Sequence, residues 1–308
     1  MADPFDMRRE ATYGVPEVVA PDVRRITCEN PSPYTFTGTQ TYLIGTEEVA
    51  VIDPGPDNPA HLAALRKAIG TARVSHIFVT HSHRDHSPGA RVLAADTGAE
   101  IFAFGEHGTG ISNTMQALIA SGADLGGGEG ADDVFAPDQR LAHSDRIEGA
   151  NWVLVALHTP GHLSNHLSFV LEGTGIVFTG DTVMGFATTL VSPPDGDMAA
   201  FMASLRMLQG RSGDRLYLPG HGHAVNDPHA MLAHQIAHRE KRFDQIIGAL
   251  SDGPAKAHEL AARIYTDIDP VLLPAAARNV LASLIGLADE GRIEARGMIT
   301  AETAFGIP

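Results

Sequence analysis

Residues Thr80 to Ser87 read Thr-His-Ser-His-Arg-Asp-His-Ser, and within them His81, His83, Asp85 and His86 place four metal-ligand side chains in six residues. The octet follows Val74-Ser75-His76-Ile77-Phe78-Val79, an apolar run that reads as a buried strand. Three imidazoles and a carboxylate suit zinc, and the same donors accept iron or manganese. The plain alternative is a polar turn that happens to be rich in histidine, in a chain with 16 His. A motif of this kind is decided by its context.

Three later segments supply that context. Trp152 to Leu157 forms an apolar run leading into His158-Thr159-Pro160-Gly161-His162, Gly175 to Thr179 leads into Gly180-Asp181, and Arg215 to Leu218 leads into Pro219-Gly220-His221. Each is a short strand ending in a glycine-containing turn that carries a ligand-type residue. Strand ends of this type, brought side by side, would build one site along a sheet edge.

This order of blocks resembles the metallo-β-lactamase superfamily over most of the chain. The resemblance implies an α/β fold, a four-layer αβ/βα sandwich with metals at one edge of two sheets. It also implies that His81, His83 and His162 hold a first metal, that Asp85, His86 and His221 hold a second, and that Asp181 bridges them. Members with a cysteine ligand carry it where this chain has Asp181, and the single Cys28 lies far from any of these motifs. The aspartate resembles the glyoxalase II, lactonase and ribonuclease Z side of the superfamily instead. Gly38-Thr39-Gln40-Thr41-Tyr42 and the stretch from Gly185 to Leu205 look like the lactamase-like protein 2 branch, with Gln40 standing where that branch usually has Asn. Diiron members usually show Glu where this chain has His83.

A chain of 308 residues, 44% of them hydrophobic, is long enough for a large domain with a smaller companion and too apolar to be disordered. The N-terminus lacks an apolar stretch behind its charges, no uninterrupted apolar run of bilayer length is expected, and one cysteine forms no internal disulfide. These features set the expectation of a cytoplasmic protein without a membrane partner. The net charge of −15 repels polyanions, and no run of Lys and Arg marks a basic track. A small-molecule substrate is therefore expected ahead of RNA; a homo-oligomer is compatible with the sequence.

Thr41–Ile44 and Val49–Ile52 flank a short turn and read as a hairpin. Asn58 followed by Pro59, and Asp197, are helix-capping signals. Between Gly105 and Asp133 a short helix at Met115–Ala120 and the run Gly126-Gly127-Gly128-Glu129-Gly130 read either as a lid over the site or as a disordered insertion. Helices are expected from Asp227–Pro228 to Asp252, over Ala257–Tyr265 and over Leu272–Asp289, with a small hairpin within Gly291–Ile299. Three helices and a hairpin resemble a winged helix, as the branch carries at its C-terminus. We accordingly divide the chain into a catalytic domain, 1–240, and a winged-helix-like domain, 241–308. Arg278 and Asn279 lie on the candidate third helix, which lacks the clustered basic residues that phosphate binding requires.

Zinc makes hydroxide available near neutral pH, so the resemblance implies a dinuclear hydrolase in which a metal-bridging hydroxide attacks an acyl carbon or a phosphorus. Asp85 is the candidate for orienting it and moving its proton. Asp53 and His166 are candidates for holding the ligands in place, and Thr188, Thr189 and His223 for touching substrate. The cofactor expected is two Zn2+, with Fe or Mn as alternatives. A small ester, thioester or lactone is the expected substrate; an endoribonuclease or phosphodiesterase is the alternative, and a non-enzymatic DNA-binding regulator is a third reading.

Overall fold

The computed structural model describes residues 4–128 and 130–308. Met1, Ala2 and Asp3 of the charged N-terminus and Glu129 of the glycine-rich run lie outside the described residues.

The first sheet is built in chain order from β1 (Glu17–Ala20), β2 (Val23–Thr27), β3 (Gln40–Ile44), β4 (Glu48–Ile52), β5 (Arg73–Phe78), β6 (Glu100–Ala103) and β7 (Gln139–Arg140). Pairing is antiparallel up to β4, as the hairpin reading requires, and parallel from β4 onward. Helices α1 (Pro59–Ile69) and α2 (Pro88–Thr97) are the crossovers that parallel pairing demands. Asn58 caps α1 by accepting from the amides of Ala60 and His61, with Pro59 in the first turn. After β6 comes the short helix α3 (Asn113–Ala120).

The second sheet has the order β12-β11-β10-β9-β8, from β8 (Arg146–Glu148), β9 (Val153–His158), β10 (Leu167–Leu171), β11 (Ile176–Gly180) and β12 (Leu216–Pro219). Helix α4 (Met198–Gln209), capped by Asp197, links β11 to its parallel neighbour β12.

Alternation along the strands fixes the layers. In β4, Ala50 and Ile52 face the second sheet, while Val49 and Val51 pack under α1 and α2 with Leu62, Leu65, Ala90 and Leu93. In β11, Ile176 and Phe178 face inward, and Val177 turns to Phe201 and Leu205 of α4. A strand buried on both faces reads as a continuous apolar run, and only helices on both outer faces bury it so. The outcome is a helix–sheet–sheet–helix sandwich. At its centre Phe78 and Phe169, from opposite sheets, pack with ring centroids 5.1 Å apart.

Helix α5 (Pro228–Leu250) runs unbroken through the expected division at 240/241. Its first half, with Met231, Leu232 and Ile236, packs on the second sheet's outer layer; its second half, with Ile246 and Leu250, belongs to a separate core formed with α6 (Ala257–Ile264) and α7 (Leu273–Asp289). A small sheet of order β13-β15-β14, from β13 (Ala255–Lys256), β14 (Glu294–Ala295) and β15 (Ala304–Gly306), completes that core. The hairpin expected within Gly291–Ile299 is thus corrected: Glu294–Ala295 pairs with Ala304–Gly306, because the turn from Gly297 to Thr303 is longer than the local sequence suggested.

Two further expectations change. Pro270–Asp289 is a helical stretch long and apolar enough to cross a bilayer by length and composition. Its Val280, Leu281, Leu284, Ile285 and Leu287 are buried in the C-terminal core, which accounts for the apolar composition. The segment after Gly105 is docked, since Met115 and Leu125 are buried in that same core.

Candidate metal centre

The ligand-type residues all leave strand ends on one edge of the sandwich. His81, His83, Asp85 and His86 follow β5; His162 lies between β9 and β10; Asp181 directly follows β11; and His221 follows β12. The 80–87 loop is fixed from several sides. The Leu167 amide donates to the Thr80 carbonyl (2.7 Å), the Asp132 amide to the Ser82 carbonyl (2.8 Å), and Ser87 Oγ to Asp132 Oδ2 (2.6 Å).

These residues form two adjoining groups, His81–His83–His162–Asp181 and Asp85–His86–His221. His83 Nδ1 lies 3.0 Å from both His81 Nε2 and His162 Nε2. In the second group His86 Nε2 and His221 Nε2 are 3.3 Å apart, and Asp85 Oδ2 is 3.4 and 3.2 Å from them. Asp181 stands between the groups: Oδ2 is 3.6 Å from His162 Nε2 and 3.4 Å from His221 Nε2, and Oδ1 is 3.6 Å from His86 Nε2.

The opposite ring nitrogens are already engaged. His86 Nδ1 meets Asp53 Oδ2 at 2.9 Å, His162 Nδ1 the Leu190 carbonyl at 2.7 Å, and His221 Nδ1 the Gly38 carbonyl at 3.2 Å. Facing acceptors, these Nδ1 atoms must carry the proton, so each neutral ring turns an Nε2 lone pair inward. Neutral His86 and His221 rings so oriented aim Nε2 lone pairs at one another across 3.3 Å, an arrangement relieved by a proton or a metal cation between them. Asp181 Oδ1 is buried and accepts no hydrogen bond among the described residues. Even Gly220 serves this space, since a Cβ there would come within 2.5 Å of Asp181 Oδ1 and 2.7 Å of His86 Cε1. The donor set therefore fits two adjacent divalent metals.

Electrostatics agree. Burial lowers His81 well below its ordinary value and His83 to about 3, keeping both rings neutral and available as ligands. Burial acts the same way on His86 and His221, yet Asp85 and Asp181 override it, raising His86 to about 9 and His221 well above its ordinary value. The second group thus demands positive charge, which either a proton or a metal supplies.

Asp53 takes φ 49°, and from that left-handed position its carboxylate accepts from the Thr80 amide and hydroxyl, both at 2.7 Å, besides holding His86. His166 is fully buried, stacks on His81 and accepts the Asp181 amide through Nε2 at 3.0 Å; it positions the ligand's backbone and faces no solvent. Of the expected substrate residues, Thr188 is half-buried. Thr189 has no exposure and donates to the Asp181 carbonyl at 2.6 Å, so its hydroxyl supports the backbone of Asp181 and does not line a pocket. His223 meets the Arg8 carbonyl at 2.8 Å and thereby ties down the N-terminal segment, a contact no local pattern announces. Gln40 is buried, with its amide spent on the Gly222 carbonyl and the Tyr42 hydroxyl.

Sequence reasoning missed several supports. Thr39 Oγ1 donates to Asp85 Oδ2 at 3.1 Å and itself accepts from Asn30. Asn165 Nδ2 donates to Ser82 Oγ at 3.0 Å. His107 bridges Ser82 Oγ (3.2 Å) and Asp195 Oδ1 (3.3 Å), which raises its pKa. Their partners are remote in the chain, so spacing carried no signal.

A sheet-edge centre of this composition on a four-layer sandwich has a counterpart among known families, and the sequence profile of the Metallo-beta-lactamase superfamily matches residues 34–221. The chain belongs to the metallo-β-lactamase superfamily. A second profile, the beta-lactamase associated winged helix domain, matches residues 257–299. Among similar proteins, an atrochrysone carboxyl ACP thioesterase of Cryptosporiopsis sp. is 30% identical over 80% of this chain and 68% of its own length. A beta-lactamase-like protein 2 homolog of Drosophila melanogaster is 29% identical over 88% of this chain and 89% of its own. A beta-lactamase domain protein from Burkholderia ambifaria superposes with a TM-score of 0.79 at 22% identity, covering 96% of this chain and 94% of its own; this likeness shows the fold. A metallo-beta-lactamase family protein from Thermus thermophilus gives 0.75 at 23% identity over 94% of this chain and its own whole length.

Proposed function

We propose that this superfamily hydrolase is dinuclear and zinc-dependent, and that it cleaves a small ester, thioester or lactone. The observation that carries the reading is the position of Asp181 between two otherwise complete ligand groups, within 3.6 Å of histidines in each.

His81, His83 and His162 would hold one metal, Asp85, His86 and His221 the other, and Asp181 both. Bound there, zinc supplies a nucleophilic water near neutral pH and stabilises negative charge on the reacting carbonyl and leaving group. The chain's own residues do the rest. Asp85 is the carboxylate nearest the opening, with its side chain 28% exposed against 8% for Asp181, so it is placed to accept and return a proton. Thr39 holds its Oδ2 in that orientation. Asp53 and the Leu190 and Gly38 carbonyls lock the ligand imidazoles in the Nδ1–H tautomer.

Two considerations favour an acyl substrate over RNA. Relatives that share 30% identity include proteins named thioesterases. The net charge of −15 slows encounter with a polyanion, and Arg278, the cation best placed for a nucleic-acid role on α7, is spent on Ser192, Leu125 and Pro193. The same engagement of Arg278 removes support from a DNA-binding role. With a small-molecule substrate and a single buried cysteine, we place the enzyme in the cytoplasm. Side-by-side kinetics on a thioester and lactone panel and on a labelled RNA oligonucleotide test the reading. Faster turnover of the small substrates, abolished by His83→Ala, is expected; metal-dependent RNA cleavage without small-substrate activity would overturn it.

A further inference from the structure

Arg278 and Asn279 of α7 are turned toward the 189–193 segment. Arg278 Nε donates to Ser192 Oγ at 2.9 Å, and its two terminal nitrogens donate to the carbonyls of Pro193 and Leu125. Asn279 Oδ1 accepts the Val191 amide at 2.9 Å and Arg239 Nη1 at 3.2 Å. Arg239, from α5, is 2% exposed, lies over the Phe201 ring and donates to the Thr189 carbonyl. Thr189, Val191, Ser192 and Pro193 are thus each gripped by Arg239, Asn279 or Arg278.

Leu190 is the residue that reaches the metal centre. Its carbonyl, held between the gripped Thr189 and Val191, accepts from His162 Nδ1 at 2.7 Å. Thr189 meanwhile donates to the Asp181 carbonyl at 2.6 Å. The grip is costly to build, because a buried guanidinium gives up hydration; for Arg239, burial pulls the pKa down to about 10. Immobilising a loop that merely connects two elements would not require it. A loop whose Leu190 carbonyl must fix the tautomer and tilt of a ligand imidazole does.

We propose that Asn279 and Arg278 of the winged-helix domain, with Arg239, are positioning residues for His162, so that this domain sets the metal affinity of the His81–His83–His162 group. The proposal rests on the metal-binding part of the function proposed above. It makes the C-terminal domain a structural wall of the metal centre, coupled through residues 189–193.

The experiment measures metal affinity and not turnover. Full-length wild type, Asn279→Leu, Asn279→Asp and Arg278→Lys are stripped of metal, confirmed folded by circular dichroism, and titrated with Co2+ against a competing chelator while the visible ligand-field band is recorded. Asn279→Leu keeps the side-chain volume and removes the acceptor, so one of the two metal equivalents should weaken by about tenfold or more, with a changed band. Asn279→Asp keeps the acceptor and should restore wild-type binding. Arg278→Lys keeps the charge, loses the planar fork and should weaken the same equivalent; it also decides the matter if Asn279→Leu does not fold. Lys256→Ala, in an exposed ion pair of the same domain, should change nothing. Folded variants whose two affinities and cobalt spectrum match wild type overturn the proposal, as would equal weakening in Lys256→Ala. Wild type that binds no metal would instead overturn the metal-centre reading itself.

Discussion

Asp53 Oδ2 lies 2.9 Å from His86 Nδ1, and the same carboxylate accepts from the Thr80 amide and hydroxyl. One residue at the end of β4 thus joins the strand's backbone to a ligand 33 residues later. The sequence marked Asp53 as a candidate for holding a ligand in place, and the geometry sets its carboxylate against the His86 ring.

Replacing Asp53 should separate these roles. Asp53→Ala leaves a buried amide unpaired, costing about 1–3 kcal/mol, and frees the His86 ring, lowering metal affinity by about 10–100-fold. Asp53→Asn tolerates the left-handed φ of 49° and can still accept from Thr80, so stability should suffer less. Denaturant unfolding of the metal-free proteins and chelator competition measure the two effects independently.

Gly220 tests the packing of the centre. A methyl group there would meet Asp181 Oδ1 at 2.5 Å and His86 Cε1 at 2.7 Å, closer than carbon atoms stand without displacement. Gly220→Ala should therefore lose metal while keeping its secondary structure, as read by elemental analysis and circular dichroism. A variant that retains the wild-type metal content would show that Asp181 has room to move.

How much of this was legible in the chain depends on the range of each interaction. The ligands His81, His83, Asp85 and His86 fall within one turn after β5, so spacing alone marked them. His162, Asp181 and His221 follow apolar runs that marked them, whereas the layers came from the family resemblance, because strands such as β4 and β11 are buried on both faces and show no alternation. Thr39, Asn165, Asp132 and the 189–193 grip escaped, since each depends on a partner brought near only by the closed sandwich. Pattern also misled at β14, whose partner β15 lies beyond the segment that looked self-contained.

The His107–Asp195 pair predicts a pH effect. Asp195 raises the His107 pKa above the ordinary 6.5, so protonated His107 is favoured in the folded state. The resulting stabilisation is fully present below the ordinary value and is lost as pH rises through the raised one. Wild type should therefore exceed His107→Gln in stability by more at about pH 6 than at about pH 9. Denaturant melts of the metal-free proteins at both pH values check the sign, and a gap that widens with pH would refute the pairing.

The central aromatic contact predicts the cost of opening the sandwich. Phe169 is fully buried against Phe78 of the opposite sheet, and Phe169→Ala should destabilise by about 3–5 kcal/mol through lost burial and the cavity left behind. The metal ligands lie at the sheet edge, so the metal content of the folded fraction should stay unchanged.

The account of the centre stands on Asp181 joining two ligand groups, and metal stoichiometry tests this most directly. Protein purified without chelator should hold close to two zinc equivalents by elemental analysis, with Asp181→Ala falling clearly below that value. A wild-type content that stays at or below one equivalent under zinc supplementation, and that Asp181→Ala leaves unchanged, would contradict it.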